Sequence, residues 1–194
     1  MASEVEICNL ALARLGDAAT VVSIDPPEGS AQAEHCAMFY PMARDTLLAQ
    51  HPWGFAQRRV RPARLAAGYL LPDDCLCVND TGRAEGWHVE NPDGHVLLVA
   101  DFEIQEIRYT ARIKDATRFP PLFVSALGWQ LASMMAGAVL KAEAGIQMGA
   151  VCAQQAAQVL VQAKNADGEQ YAERPRHVAP WIRARGQGWP ISGF

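Results

Sequence analysis

The chain has 194 residues, which is the length of one ordinary domain and enough to bury a sizeable hydrophobic core. Half of the residues are hydrophobic and 20% are charged, so the composition excludes a disordered or fibrous protein. Asp and Glu outnumber Lys and Arg by 21 to 17, which gives a net charge of −4. This balance argues against a strongly basic chain dedicated to nucleic-acid binding.

The first predicted helix covers residues 3–15, where Ser3 and Glu6 have the spacing of a capping box. Apolar residues recur along it at helical spacing, and Gly16 provides a stop signal. Residues 17–29 follow as a linker with a short extended piece.

A second helix is predicted over residues 30–50, with Cys36, Tyr40, Ala43 and Leu47 on its apolar stripe. Pro41 lies inside this pattern and is expected to kink or divide the helix. Arg44 and Asp45 fall off the stripe. His51 before Pro52 ends the helix, and a helix-end contact is a simpler role for that imidazole than catalysis.

Residues 53–112 have the pattern of a small antiparallel β lobe. Strands are predicted at 55–65, with an interruption at Pro62, and at 75–78 and 103–110, with a hairpin over 87–99 around Pro92-Asp93-Gly94. Trp53 and Phe55 are interpreted as core anchors where helix turns to strand. The first strand carries Arg58, Arg59, Arg61 and Arg64, which would contact phosphates, form a solvated edge or pair with carboxylates of a neighbouring subunit.

The five cysteines are odd in number and scattered, at positions 8, 36, 75, 77 and 152. No basic region typical of a signal peptide opens the chain, so reduced thiols of a cytoplasmic product are expected. Cys75 and Cys77 would share one face of a strand and are interpreted as core packing. A zinc site with His88 or His95 is the alternative, although the repeated ligand spacing of such sites is missing.

A third helix is predicted over residues 121–142. The 22 residues from 119 to 140 contain no charged residue, which is long enough to cross a bilayer. The run opens with Pro120-Pro121 and includes several polar and small residues, so a buried helix in a soluble assembly is favoured over a membrane span.

The fourth predicted helix covers residues 146–171 and is rich in Ala and Gln. Ala150, Ala153, Ala157 and Leu160 are expected to form a narrow packing seam, with glutamines covering the other faces. Residues 172–194 contain three prolines and three glycines and are predicted to be an extended C-terminal tail. The fold class is therefore α+β and mainly α: a four-helix bundle with the β lobe inserted between helices two and three.

Motifs for known chemistry are missing from the sequence. It has no glycine-rich phosphate loop of either common type, no HExxH and no GxSxG. The paired Asp73 and Asp74 are expected to be solvated. No catalytic, cofactor-binding or metal-binding residue is predicted.

An ordered set of segments nevertheless resembles one protein family. It comprises Ile7-Cys-Asn-Leu-Ala-Leu-Ala-Arg-Leu-Gly16, Val22-Ser-Ile24, Tyr40 with Arg44-Asp45 and Leu47-Leu48, His51-Pro-Trp-Gly-Phe-Ala56, Tyr69-Leu-Leu-Pro-Asp-Asp-Cys-Leu76, and Arg118-Phe-Pro-Pro-Leu122. In order and spacing, this set resembles the bacteriophage tail tubular protein A family of head-to-tail adaptors, also called connectors. The resemblance covers roughly residues 5–165, and the loop at 80–86 departs from it.

The resemblance implies a structural protein of the virion, made in the cytoplasm of a bacterial host, and not an enzyme. Family members form a ring, usually of twelve copies, docked beneath the portal, with the tail nozzle or tube below. Double-stranded DNA leaves through the lumen without sequence-specific binding. The resemblance implies no cofactor, no metal and no membrane association.

The C-terminal segments of family members reach onto the portal, so the resemblance gives this role to residues 172–194. The side chains expected to bind the portal are Arg174, Arg176, Trp181, Arg183, Arg185, Trp189 and Phe194. Residues 1–171 would then be a single adaptor domain. The alternative from another class is a phage-encoded, cell-wall-degrading hydrolase or another small cytoplasmic enzyme.

Overall fold

The structure is a computed structural model that describes residues 2–18, 20–140 and 142–170. This part of the chain is a mixed α+β fold, 52% helical, with four α-helices and two small antiparallel sheets. The helices are α1 (Glu4–Arg14), α2 (Ala31–Ala49), α3 (Pro121–Val139) and α4 (Ala142–Gln170). Both sheets lie between α2 and α3 in the sequence, where the β lobe was predicted.

Local signals set the beginnings of α1 and α2. The Ser3 hydroxyl accepts a hydrogen bond from the Glu6 amide at 3.1 Å, and the Glu6 carboxylate accepts one from the Ser3 amide at 2.7 Å. This is the predicted capping box. Ser30 caps α2 by accepting from the amide of Ala33. The helix continues through Pro41 to Ala49, so of the two expected effects of this proline, a kink or a division, the division does not occur.

α3 is the central helix, and it packs against α1, α2 and α4. Its buried residues include Phe123, Leu127, Leu131 and Met135, which lie in one core cluster with side chains from the other helices. In the described ranges, α3 is the one helix long and apolar enough to cross a membrane. That is weak evidence for a span, because a core helix of a soluble protein has the same composition, and 44% of its apolar window is buried.

The turn between α3 and α4 is tighter than predicted. α3 ends at Val139 instead of residue 142, and α4 begins at Ala142 instead of residue 146. Gly145 permits this early start: a side chain there would collide with the backbone carbonyl oxygens of Leu140 and Ala136. The missing Cβ therefore lets the first turn of α4 lie directly against the end of α3.

The strands are β1 (Gln57–Val60), β2 (Ala63–Leu65), β3 (Gly68–Leu70), β4 (Cys75–Asp80), β5 (Trp87–Glu90), β6 (Leu97–Ala100) and β7 (Ile107–Ala111). One sheet has the order β1-β7-β4, and the other has the order β2-β3-β6-β5. The strand predicted at 55–65 is interrupted at Pro62, as the sequence indicated. It is divided around Pro62 between the two sheets, as expected for a residue that cannot donate to a ladder.

The interpretation of Cys75 and Cys77 as core packing is wrong for one of them. The pairing of β4 with β7 shifts register between these residues, so they do not lie on one continuous face. Cys75 is half-buried, whereas Cys77 is exposed. Within the described ranges, no group of three or more His, Cys, Asp or Glu side chains is placed to hold a metal ion.

Candidate functional site

Residues 51–56, which follow α2, turn at the centre of the aromatic core. We call this segment the corner. The Trp53 side chain is 1% exposed, and its indole N–H donates a hydrogen bond to the carbonyl of Leu47 at 2.8 Å. Its ring meets Phe123 of α3 edge-on at a centroid distance of 5.1 Å, and Phe55 also contacts Phe123. The interpretation of Trp53 as a core anchor is confirmed.

Asp167 of α4 holds this corner from the opposite side. Both of its carboxylate oxygens lie 3.2 Å from the amide nitrogen of Gly54, which donates to them. One of these oxygens also lies 3.2 Å from Nε2 of His51. A carboxylate that is only 9% exposed requires such partners, because burying an unpaired charge is costly. His51 therefore makes a helix-end contact, and its partner is in the last turns of α4.

A second polar cluster joins α2 to the strand region. Arg44 falls off the predicted apolar stripe of α2, yet it is only 6% exposed. Its Nε donates to Asp45 at 2.9 Å, and the other oxygen of Asp45 accepts from Nε of Arg112 at 2.8 Å. Burial raises the pKa of the nearby Glu4, and the positive charge of Arg44 offsets part of that rise. Arg44 is tolerated in the interior because these carboxylates surround it.

The third cluster pairs the arginine-rich strand with carboxylates of the same chain. Asp74 was expected to be solvated, but it accepts from Arg58 at 2.7 Å and from the Tyr109 hydroxyl at 3.1 Å. Arg59 lies 3.6 Å from Glu106 across the β1–β7 pair. Arg58 and Arg59 therefore have carboxylate partners within this chain, which leaves the predicted phosphate and subunit contacts as predictions. Burial and the bond to Asp74 raise the pKa of Tyr109.

α1 is fixed by two polar side chains from the first segment of the resemblance. The Asn9 side chain forms two hydrogen bonds with the backbone of Val21, at 2.8 and 2.9 Å. Arg14 donates to the carbonyl of Ser125 at 2.9 Å and stacks 4.0 Å from the centroid of the Trp129 ring. Burial lowers the pKa of Arg14. Polar contacts thus connect parts of the chain that are far apart in the sequence. The side chains that make them are Asn9, Arg14, Asp45, Trp53 and Asp74.

A cavity of about 490 Å³ lies beside the corner and is lined by His51, Arg59, Arg108 and Asp167. Its other described lining residues are Pro52, Gly54, Gln57 and Gly168, so none of them supplies a hydroxyl or thiol nucleophile. The histidine and the aspartate bind each other and the backbone. Their geometry supports a role in holding α4 and the corner together.

The packing of α4 differs from the prediction. The face buried against α3 consists of Gly145, Cys152, Ala156, Ala163 and Asp167. The predicted seam lies on another side of the helix: Ala150, Ala153 and Ala157 are exposed, and Leu160 is half-buried. Both sets recur with a spacing near 3.5 residues, so periodicity could not decide which one the chain buries.

We call Ile146, Ala150, Ala153, Ala157 and Leu160 the outer seam. Ile146 is 75% exposed, and Val161 next to Leu160 is 58% exposed. No charged residue occurs from position 144 to position 163. On α2, Met38 and Met42 are also exposed by more than half. The described part of the chain therefore presents an uncharged face on α4 and two exposed methionines on α2, where Glu34 is also exposed one turn before Met38.

The side chains predicted to bind the portal, from Arg174 to Phe194, lie outside the described residues. The helix that leads to them, α4, ends at Gln170 beside the corner. Asp167, which fixes this end, was missed in the sequence. Its spacing from Ala156 and Ala163 places it on the buried face of α4, and this spacing was the sequence feature from which its burial could have been predicted.

No protein-family model matches this chain, and no curated protein is similar to it.

Proposed function

We propose that the chain is a head-to-tail adaptor subunit of a tailed bacteriophage. In this role it forms a ring, usually of twelve copies in the family it resembles, between the portal and the tail nozzle or tube. Double-stranded DNA passes through the lumen without sequence-specific binding. The protein is then a structural component of the virion. The observation that carries the proposal is the outer seam of α4.

The outer seam has the features of a helix–helix interface. Its residues recur every three or four positions, which keeps them on one side of the helix over four turns. The alanines Ala150, Ala153 and Ala157 permit a second helix to approach closely. A helix face that meets only water normally carries charges, whereas residues 144–163 carry none. These features support the packing of another helix against this side of α4.

Exposed apolar residues on two different helices favour a ring over a twofold dimer. The outer seam is on α4, and the surface with Met38 and Met42 is on α2. When two different patches of one chain bind each other, the contact is head-to-tail and closes into a ring if the rotation permits. We propose that α4 of one subunit packs on α2 of the next.

The finer fold prediction is part of the same proposal. We infer that the four helices act as one bundle that carries the ring contacts, with the two sheets projecting from it. The packing of α3 against the other three helices supports this arrangement. The net charge of −4 suits a channel wall that does not retain DNA.

Charge substitutions on α4 test the ring directly. Ala157→Glu places a carboxylate on the outer seam, and Gln158→Glu places the same charge on an exposed position beside it. Both residues are exposed, so both variants should fold with little change in the free energy of unfolding. Ala157→Glu should lose ring assembly in sedimentation or light scattering, whereas Gln158→Glu should retain it. Assembly by both variants would contradict the proposed interface.

Truncation tests the portal contact. A chain that lacks residues 172–194 should remain folded and should no longer bind the portal protein encoded in the same genome. Circular dichroism and thermal unfolding check the fold, and co-sedimentation with portal rings checks binding. Portal binding by the truncated chain would refute this role for the C-terminal residues.

A further inference from the structure

The cavity beside the corner has two arginines on one wall. Arg59 of β1 and Arg108 of β7 are direct partners in the register of the two strands. Gln57 lies two residues before Arg59 and therefore on the same face of the sheet. All three residues line the cavity, whose volume is about 490 Å³. The β1–β7 pair thus presents two positive charges and an amide to the same space.

This placement of two positive charges is unfavourable by itself. Directly opposite residues on antiparallel strands have Cβ atoms about 4.5–5.5 Å apart, and like charges there destabilise the sheet. Glu106 lies 3.6 Å from Arg59, and Asp80 lies 3.1 Å from Arg108, but both ion pairs are exposed and such pairs contribute little. A guanidinium has five N–H donors, so each arginine can also donate to an anion placed between the two.

The other wall of the cavity is formed by the corner, with His51, and by the end of α4, with Asp167. The Asp167 carboxylate would repel an anion, but it is only 9% exposed. Both of its oxygens accept from the Gly54 amide, and one of them contacts Nε2 of His51, at 3.2 Å in each case. The carboxylate is thus directed to the corner, and the two arginines carry the exposed charge that an incoming ligand meets.

We propose that the cavity binds a small phosphate monoester, such as a sugar phosphate, with its phosphate between Arg59 and Arg108. A phosphate monoester carries a charge of about −1.5 to −2 at pH 7 and has three strong acceptor oxygens, so one group can bridge two guanidinium groups. A carboxylate, or a phosphodiester of a nucleic-acid backbone, has a single negative charge and balances only one of them. The pair of arginines therefore favours a terminal phosphate.

The size and lining of the cavity indicate the rest of the ligand. A volume of about 490 Å³ lies within the range of about 300–1,000 Å³ that is usual for small-molecule sites. Beside the charged residues, the described lining consists of Gln57, Pro52 and two glycines, so hydrogen-bonding groups outnumber apolar side chains. The Gln57 amide nitrogen donates to the Pro52 carbonyl at 2.8 Å, which holds this side chain in place. Such a lining suits a hydroxylated organic group better than an apolar one.

Isothermal titration calorimetry of the full chain with ribose 5-phosphate tests the site, and the result is independent of the adaptor role. Ribose without a phosphate is the ligand control, and about 0.15 M salt suppresses long-range attraction. Arg59→Gln and Arg108→Gln each remove one of the two charges. Arg58→Gln is the matched control, because Arg58 is the neighbouring residue on β1, lies on the other face of the sheet and pairs with Asp74.

Ribose 5-phosphate should bind, and ribose should not. Arg59→Gln and Arg108→Gln should each weaken binding about tenfold or more, as expected for the loss of a hydrogen-bonded charge. Arg58→Gln should leave the affinity unchanged, and circular dichroism checks that each variant is folded. A chain that does not bind ribose 5-phosphate, or an equal loss of affinity in Arg58→Gln, would overturn the proposal.

Two further titrations distinguish the sources of the phosphate. Inorganic phosphate should bind more weakly than ribose 5-phosphate, because it lacks the organic group. Equal affinities would overturn the assignment to a monoester, since the phosphate alone would then account for binding. A DNA duplex with hydroxyl ends presents only phosphodiesters and should not compete with ribose 5-phosphate. Competition by the duplex that Arg59→Gln abolishes would overturn the proposal in favour of a nucleic-acid backbone contact.

Discussion

Substitution of Asp167 tests whether the corner and α4 are held together as the structure indicates. Asp167→Ala removes the acceptor for the Gly54 amide and for Nε2 of His51. A buried donor that loses its acceptor costs about 1–3 kcal/mol. The His51 side chain is 22% exposed and can turn to water, so it adds little. We therefore expect the free energy of unfolding to fall by about 2 kcal/mol.

The matched variant separates the hydrogen bond from the charge. Asp167→Asn keeps one carbonyl oxygen for the Gly54 amide, so we expect a loss of about 1 kcal/mol. Glu169→Ala, at an exposed position in the same helical turn, should change stability by less than about 0.5 kcal/mol.

Urea unfolding followed by circular dichroism measures all three variants. For a chain of this size, a loss of about 2 kcal/mol corresponds to a Tm lower by roughly 4–8 °C. If Asp167→Ala were as stable as Glu169→Ala, the carboxylate would not hold the corner. An Asp167→Asn variant as unstable as Asp167→Ala would show instead that the charge, and not the acceptor, is what matters.

Three further predictions follow from local geometry. Gly145→Ala should destabilise the chain by more than about 2 kcal/mol in thermal unfolding, because its Cβ would meet two backbone oxygens. Gly168 has open space around it, so Gly168→Ala should stabilise the chain by up to about 1 kcal/mol. Equal effects of the two substitutions would contradict the tight α3–α4 turn. Burial raises the pKa of Cys75 to about 11, so iodoacetamide at pH 8 should alkylate the exposed Cys77 much faster than Cys75. Mass spectrometry of peptides measures the two rates, and equal rates would refute this prediction. The amides of Val22 and Ser23 donate to Glu28 and lower its pKa. Hydrogen-exchange protection of these amides should therefore be present above about pH 4.3 and be lost as the pH falls through the lowered pKa of Glu28 in the folded chain. Glu28→Gln should remove this pH dependence, and a pH dependence that persists in the variant would belong to another group.

The sequence was informative where structure is decided locally. The Ser3–Glu6 capping box lies within one helical turn and requires no distant partner, so its spacing sufficed to predict the start of α1. The hairpin predicted over 87–99 is present as β5 and β6, since its turn residues specify the reversal of the chain. Trp53 was correctly placed in the core on its size and apolar character.

The sequence was less informative where a distant element decides the structure. Asp167 binds Gly54 across 113 positions of the chain, and no local pattern announces that pair. Arg44 falls off the apolar stripe that helical spacing predicts, yet it is buried with Asp45 as its ion-pair partner, and Asp45 also binds the distant Arg112. On α4, the pattern predicted the wrong side of the helix as the packing seam, because contact with α3 selects a different side for burial.

The central proposal is tested most directly by the solution mass of the full chain, measured by light scattering alone and after mixing with the portal protein of the same genome. The account predicts a stoichiometric complex whose mass equals one portal ring plus a ring of this chain. A chain that stays monomeric and does not bind the portal would contradict the adaptor role. The search for a substrate of the alternative hydrolase would then be the next step.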